Sequence, residues 1–145
     1  MTAETAKEVV QQFADDIWEQ FDPANENPWG WCNDGGEQFS WEEAVAEMGD
    51  EFDPDEHDEH NLPGYWREAG AWDYLSDVLD IEYRVGSDRK YRSAKILLGF
   101  GGPNLWVDTG TGEAGAAWWS APEYASLPQR FIDELDEALE ELFNC

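Results

Sequence analysis

Residues 81–119 read IEYRVGSDRKYRSAKILLGFGGPNLWVDTGTGEAGAAWW, and their alternation decides the fold. Ile81, Tyr83 and Val85 alternate with Glu82 and Arg84, and Ala94, Ile96, Leu98 and Phe100 alternate in the same way. A period of two marks strands with one face buried. Residues 86–90, 101–104 and 109–112 are turn-rich breaks, which leave 105–108 and 113–119 as two more strands. Because every connection is short, the economical arrangement is an antiparallel meander of four strands over about 81–119. Trp118 and Trp119 are neighbours at the end of the last strand, so they must point to opposite faces.

Outward from this segment the period lengthens to that of a helix. Thr5 and Glu8 form a capping-box pair ahead of Val10, Phe13, Ala14, Ile17 and Phe21, one helix face. Residues 22–36, rich in Pro, Asn, Gly and Asp, predict a loop with Trp29 and Trp31 folded back on the domain. Ser40 and Glu43 form a second box, opening a short helix through Met48 that Gly49 ends. Residues 50–60, DEFDPDEHDEH, predict a solvated loop. Pro63 sits where helices begin, and Tyr65, Ala69, Trp72, Leu75 and Leu79 predict a third helix, with Gly70 as its weak point. Past Pro122 and Pro128 a last helix runs from about 129 to 143. The fold class is α+β, a single domain over 1–145: the meander packed with N-terminal helices and a C-terminal amphipathic helix.

The charge is the informative quantity. The chain carries 34 acidic and 8 basic residues, a formal net charge of −26. It is unevenly placed: residues 1–80 hold 23 acidic and 2 basic side chains, 81–120 hold 4 and 5, and 121–145 hold 7 and 1. Such a chain repels nucleic acid and anionic membranes and attracts whatever is built to bind them. A 41% apolar share with nine tryptophans argues against disorder. No apolar run is long enough for a membrane span, and residues 1–10 are polar where a secretory signal would be basic then apolar, which predicts a cytoplasmic protein.

The charge is densest on the last helix. Phe131, Leu135, Ala138, Leu139 and Leu142 fall on one side, and Asp133, Glu134, Asp136, Glu137, Glu140 and Glu141 on the other. At 1.5 Å per residue those carboxylates spread over roughly 12 Å, about one per 2 Å, against about one phosphate charge per 1.7 Å of duplex DNA. A basic groove responds to potential and spacing, so this face can compete for it. Like charges at these spacings cost the helix a few tenths of a kcal/mol per pair, and no lysine is interleaved to offset them.

Sites of other kinds are weaker. His57 and His60 stand among Asp53, Asp55, Glu56, Asp58 and Glu59, yet the run fits neither the calcium-loop pattern nor the HExxH zinc helix, so no metal is assigned. Gly99, Gly101 and Gly102 precede Pro103 and a strand, where a phosphate loop needs a helix. Nucleophilic catalysis needs a Ser or Cys beside a base; Cys32 near Asp34 is not positioned by anything in the sequence, and Cys145 is the last residue. No catalytic residue and no cofactor are assigned.

The stretch YRSAKILLGFGGPNLWVDTGTGEAGAAWW with DELDEALEELF resembles small acidic proteins of unassigned function carried by phages and plasmids of gut bacteria. In size and charge the chain is similar in type to the DNA-mimicking anti-restriction and anti-CRISPR inhibitors. That likeness implies a stoichiometric inhibitor of a host defence nuclease, without a cofactor.

The expected function is a non-catalytic inhibitor that presents the last helix's six carboxylates, with Asp53, Asp55, Glu56, Asp58 and Glu59, to the basic groove of a nucleic-acid-binding protein, without touching nucleic acid or membrane itself. Two alternatives stay open. One is an immunity or antitoxin-like protein capping a basic toxin through tryptophan hot spots. The other is a salt-adapted accessory or carbohydrate-binding domain, although salt adaptation should coat every exposed element with carboxylates and residues 81–120 escape it.

Overall fold

The computed structural model describes residues 3–99, 104–118 and 121–145. In chain order the elements are α1 (Ala3–Gln20), β1 (Trp31–Cys32), β2 (Gln38–Phe39), α2 (Trp41–Met48), a 3-10 turn (Gly49–Glu51), β3 (Arg67–Glu68), α3 (Ala71–Leu75), β4 (Asp80–Val85), β5 (Tyr91–Gly99), β6 (Asn104–Asp108), β7 (Glu113–Ala117), β8 (Glu123–Ser126) and α4 (Gln129–Phe143). They form two compact units, Met1–Pro23 with Asp77–Cys145, and Ala24–Ser76.

The first unit is an α+β layer pair. Its five strands follow sequence order, β4-β5-β6-β7-β8, each antiparallel to the next. The meander therefore has one strand more than expected. The extra strand, β8, is four residues long with little apolar alternation, and it is recognisable only through its pairing of Ala125 with Ala114. Phe100, Gly101, Gly102, Pro103 and Trp119, which the sequence assigns to a strand, a turn and a strand end, lie outside the described residues.

Register places Ile81, Ile96, Val107, Ala114 and Ala125 in one row across the sheet, and Ile96, Val107 and Ala114 in it are fully buried. This is the face that the helices cover. α1 lies against β7 and β8, where Ala114 and Ala116 let a helix approach closely, and it buries Val10, Ala14, Ile17 and Phe21. α4 lies against β5 and meets α1 where Phe21 and Phe131 pack edge to face at 5.3 Å. Each fully buried Phe, Leu or Ile here contributes about 1.5–3 kcal/mol. α1 begins two residues before Thr5, so Thr5 and Glu8 sit inside the helix instead of capping it.

On the opposite face Leu97, Trp106, Gly115 and Tyr124 form a row. A Cβ on Gly115 would stand 2.4 Å from the Trp106 ring, so only glycine lets the indole lie across β7.

In the second unit β1 is the centre of a small antiparallel sheet, β2-β1-β3. Trp31, Ala44 and Met48 form its core, with Phe39, Trp41, Phe52, Leu62 and Trp66 packed around them. α2 starts on the expected capping box, Ser40 with Glu43, and stops at Gly49, whose φ is 57°. Two expectations need correction. Residues 22–36 are not all loop, because Trp31 and Cys32 pair with β2 and β3. The third helix shrinks to five residues: Arg67 and Glu68 pair with β1, Pro63 sits in a turn whose carbonyl accepts the Trp66 N–H at 3.2 Å, and Gly70 is extended just before α3. Tyr65, expected on its apolar face, is 81% exposed.

Candidate functional site

α4 is positioned by its apolar flank. Phe131, Ile132, Leu135, Ala138 and Leu139 are buried, as the 3.6-residue period requires. The outward side carries the carboxylates, and they are not equivalent. Asp133 is exposed and accepts a hydrogen bond from Gln129 Nε2 at 2.7 Å. Glu134 is half-buried and pairs with Arg130 Nε at 3.0 Å, one turn back. Asp136 is half-buried and accepts the Tyr91 hydroxyl. Glu137, Glu140 and Glu141 are exposed.

Burial, reinforced by the Asp136 carboxylate, pushes the Tyr91 phenol far above its usual range. Tyr91 therefore stays a neutral donor. Tyr83 and Phe143 complete an aromatic cluster around it, with Tyr83 to Phe143 at 5.4 Å.

Three of the first hairpin's basic residues are engaged by neighbouring side chains, while Arg89 and Lys90 at its turn are exposed. Arg84 makes a two-pronged bond to Asp108, both at 2.7 Å, and a third to Ser93 Oγ at 3.1 Å. Arg92 pairs with Asp88 at 3.3 Å, and the Lys95 ammonium sits 4.5 Å from the Trp106 ring centre. The Arg84 guanidinium and the Gly110 and Thr111 N–H groups hold the Asp108 carboxyl below the usual carboxylate range.

The second acidic set belongs to the other unit. Asp53, Asp55, Glu56, Asp58 and Glu59 are all exposed, but the segment is tied down. Asp53 accepts the Asp55 N–H at 3.0 Å, and its own N–H donates to His57 Nδ1 at 2.9 Å. Asp58 accepts the N–H groups of His60 and Asn61, both at 2.8 Å, and these bonds lower its pKa. Trp31 Nε1 donates to the Glu59 carbonyl at 2.9 Å, and Phe52 packs on Trp41. The Asp53 and Asp58 carboxylates thus shape turns, while the side chains of Asp55, Glu56 and Glu59 are exposed to water.

Both histidines are accounted for nearby. His57 accepts from the backbone, and His60 lies 2.9 Å from Glu68 and 3.9 Å from Glu26, which raises its pKa, chiefly through the Glu68 hydrogen bond. Among the described residues no group of three or more His, Cys, Asp and Glu is arranged to hold a metal ion.

Cys32 is fully buried, and its partner is Asp73 instead of Asp34. Burial first, and then Asp73, push the thiol up, so it remains protonated and a poor nucleophile. Asp73 also accepts from Arg67 Nη1 at 3.0 Å and from the Gly70 N–H at 2.8 Å, which fixes the start of α3. The separation of 41 residues between Cys32 and Asp73 hides this contact from any reading of spacing.

No described helix is long and apolar enough to cross a membrane. The chain matches no family model, no curated protein and no solved structure.

Proposed function

We propose that this protein is a non-catalytic binding protein that lays the outward carboxylates of α4 in the Lys/Arg-lined groove of a nucleic-acid-binding protein, in place of nucleic acid. The observation that carries the reading is the state of that helix face. Its apolar flank is docked through Phe131, Ile132, Leu135, Ala138 and Leu139, while Asp133, Glu137, Glu140 and Glu141 are exposed and the hairpin cations Arg84, Arg92 and Lys95 are engaged by Asp108, Asp88 and Trp106.

The exposed carboxylates Asp133, Glu137, Glu140 and Glu141 span roughly 12 Å of axis, about one per 3 Å. That spacing is near the roughly 3.4 Å between phosphates along one DNA strand. One helix face can therefore stand in for one strand. Asp55, Glu56 and Glu59 of the second unit offer a further acidic contact of the same chemistry.

Such pairs are weak singly, so affinity comes from many and falls steeply with salt. The test is displacement of a labelled DNA duplex from the heparin-binding proteins of a cell lysate. The wild type should displace it at low salt, and a Glu137→Gln, Glu140→Gln, Glu141→Gln variant should not. Equal displacement by both removes the proposal.

A second reading, a protein cap for a basic toxin, is favoured by the exposure of Tyr65 and Trp72, which are 81% and 44% exposed. Aromatic side chains of this kind serve as interface hot spots. If Tyr65→Ala abolishes binding while the glutamine variant only slows association, this second reading replaces the first.

A further inference from the structure

We propose that the chain pairs with a second copy of itself through the open edge of β4, continuing the sheet across a twofold axis. β4 ends the five-stranded sheet, and among the described residues its ladder is with β5 alone. Its other edge therefore presents backbone N–H and C=O groups free to extend the sheet. The edge is apolar at both ends: Leu79 and Val85 are 52% and 47% exposed.

The side chains select the partner. In an antiparallel pair directly opposed residues share a face, and a one-residue slip would set Ile81 or Tyr83 of one copy against a charge of the other. Only pairings centred on a residue keep the faces matched. A pairing centred on Glu82 opposes two glutamates, and one centred on Arg84 opposes two arginines. Centring on Tyr83 opposes Tyr83 with Tyr83, Ile81 with Val85, and Glu82 with Arg84 twice over. The first two are favourable cross-strand pairs, and each Glu82 faces an Arg84 whose guanidinium is shared with Asp108 and Ser93 of its own chain. Charges on an edge strand ordinarily repel other strands; here their order rejects foreign sequences and accepts its own.

The inference rests on β4 and stands apart from the acidic contact proposed for α4. Because Phe143 at the end of α4 packs on Tyr83, pairing brings the two acidic helices towards each other. Their repulsion is screened by salt, so self-association strengthens with ionic strength whereas groove binding weakens.

The experiment is sedimentation of the full chain over a concentration series at about 0.1 M and about 0.5 M salt, with circular dichroism to show that each variant is folded. The wild type should move from monomer to dimer, more readily at the higher salt. Glu82→Arg alone and Arg84→Glu alone should each self-associate at least about tenfold more weakly, because both symmetric pairs become repulsive. Mixed together they should form a heterodimer, since one strand then carries two arginines and the other two glutamates. Arg84→Glu also loses Asp108, so Val85→Lys, which replaces a half-exposed side chain, gives the same loss without touching that pair. A wild type that stays monomeric under all conditions, or a dimer unaffected by Glu82→Arg and Val85→Lys, overturns the proposal.

Discussion

The Tyr91 hydroxyl donates to Asp136, so the first residue of β5 is tied to the middle of α4. The bond fixes which of the helix carboxylates stays at home. Tyr91→Phe keeps the ring in its cluster with Tyr83 and Phe143 and removes only the donor, leaving Asp136 half-buried without it. We expect a loss of about 1 kcal/mol, below the range of about 1.5–3 kcal/mol for a hydrogen bond to a charged group because Asp136 is partly solvated. Urea unfolding measures it, and an unchanged midpoint would show the bond to be energetically idle.

The same residue gives the alkaline limb a definite sign. A phenol whose folded pKa lies above its unfolded value near 10 adds stability that is complete below about pH 10 and lost as pH rises through the folded value. Tyr74, raised by burial, and Tyr83 contribute in the same direction. The slope of stability against pH above about pH 10 should therefore be negative for the wild type and shallower for Tyr91→Phe. Parallel slopes would mean that Tyr91 titrates alike in both states.

Asp108 joins two roles, the pair with Arg84 and the turn made by the Gly110 and Thr111 N–H groups at 2.9 and 3.3 Å. Asp108→Asn retains an oxygen for the turn and loses the ion pair, while Asp108→Ala loses both. We expect about 1 kcal/mol for Asn, discounted because Arg84 is half exposed, and about 2–3 kcal/mol for Ala. The carboxyl is held low in the fold, so its contribution is present above the unfolded value near 3.9 and disappears as pH falls through the folded one. Thermal melts from pH 7 down to pH 2 should show the wild-type advantage over Asp108→Asn vanish at the acid end.

Gly115 marks where backbone and indole meet. With Trp106 atoms 2.4 to 2.5 Å from a Cβ at that position, Gly115→Ala must lift the ring from β7. Overpacking of this kind costs about 1–3 kcal/mol. It should also shift tryptophan emission and weaken the Lys95 contact, and an unshifted spectrum would place the ring elsewhere.

What the sequence disclosed follows from the range of the forces involved. β4 to β7, α2 and α4 were legible because period, turn residues and a capping box act within a few positions of one another. The separation of the acidic from the apolar side of α4 was legible for the same reason. β1, β3 and β8 were not, since Trp31 with Glu68 and Ala114 with Ala125 are paired by tertiary contacts that short strands do not signal. The long third helix failed at Gly70, where propensity was weakest and β1 offered Arg67 and Glu68 better backbone partners. Within the site, the Arg130–Glu134 pair is a local i,i+4 contact, whereas Tyr91–Asp136 and Cys32–Asp73 depend on the completed fold.

The outward carboxylates of α4 set stability against binding. Glu137 has Asp133 and Glu141 one turn away and Glu134 and Glu140 three residues away, and the last turn holds no basic residue to complement the negative helix terminus. Each like-charge pair costs a few tenths of a kcal/mol, so Glu137→Gln, Glu140→Gln, Glu141→Gln should raise the melting temperature by an amount worth about 0.5–1 kcal/mol at low salt. The gain should shrink in high salt as the repulsion is screened. A purely structural helix would show this gain with no change in binding. A helix retained for its charge would show the gain together with loss of duplex displacement, and measuring both quantities on one variant separates the two.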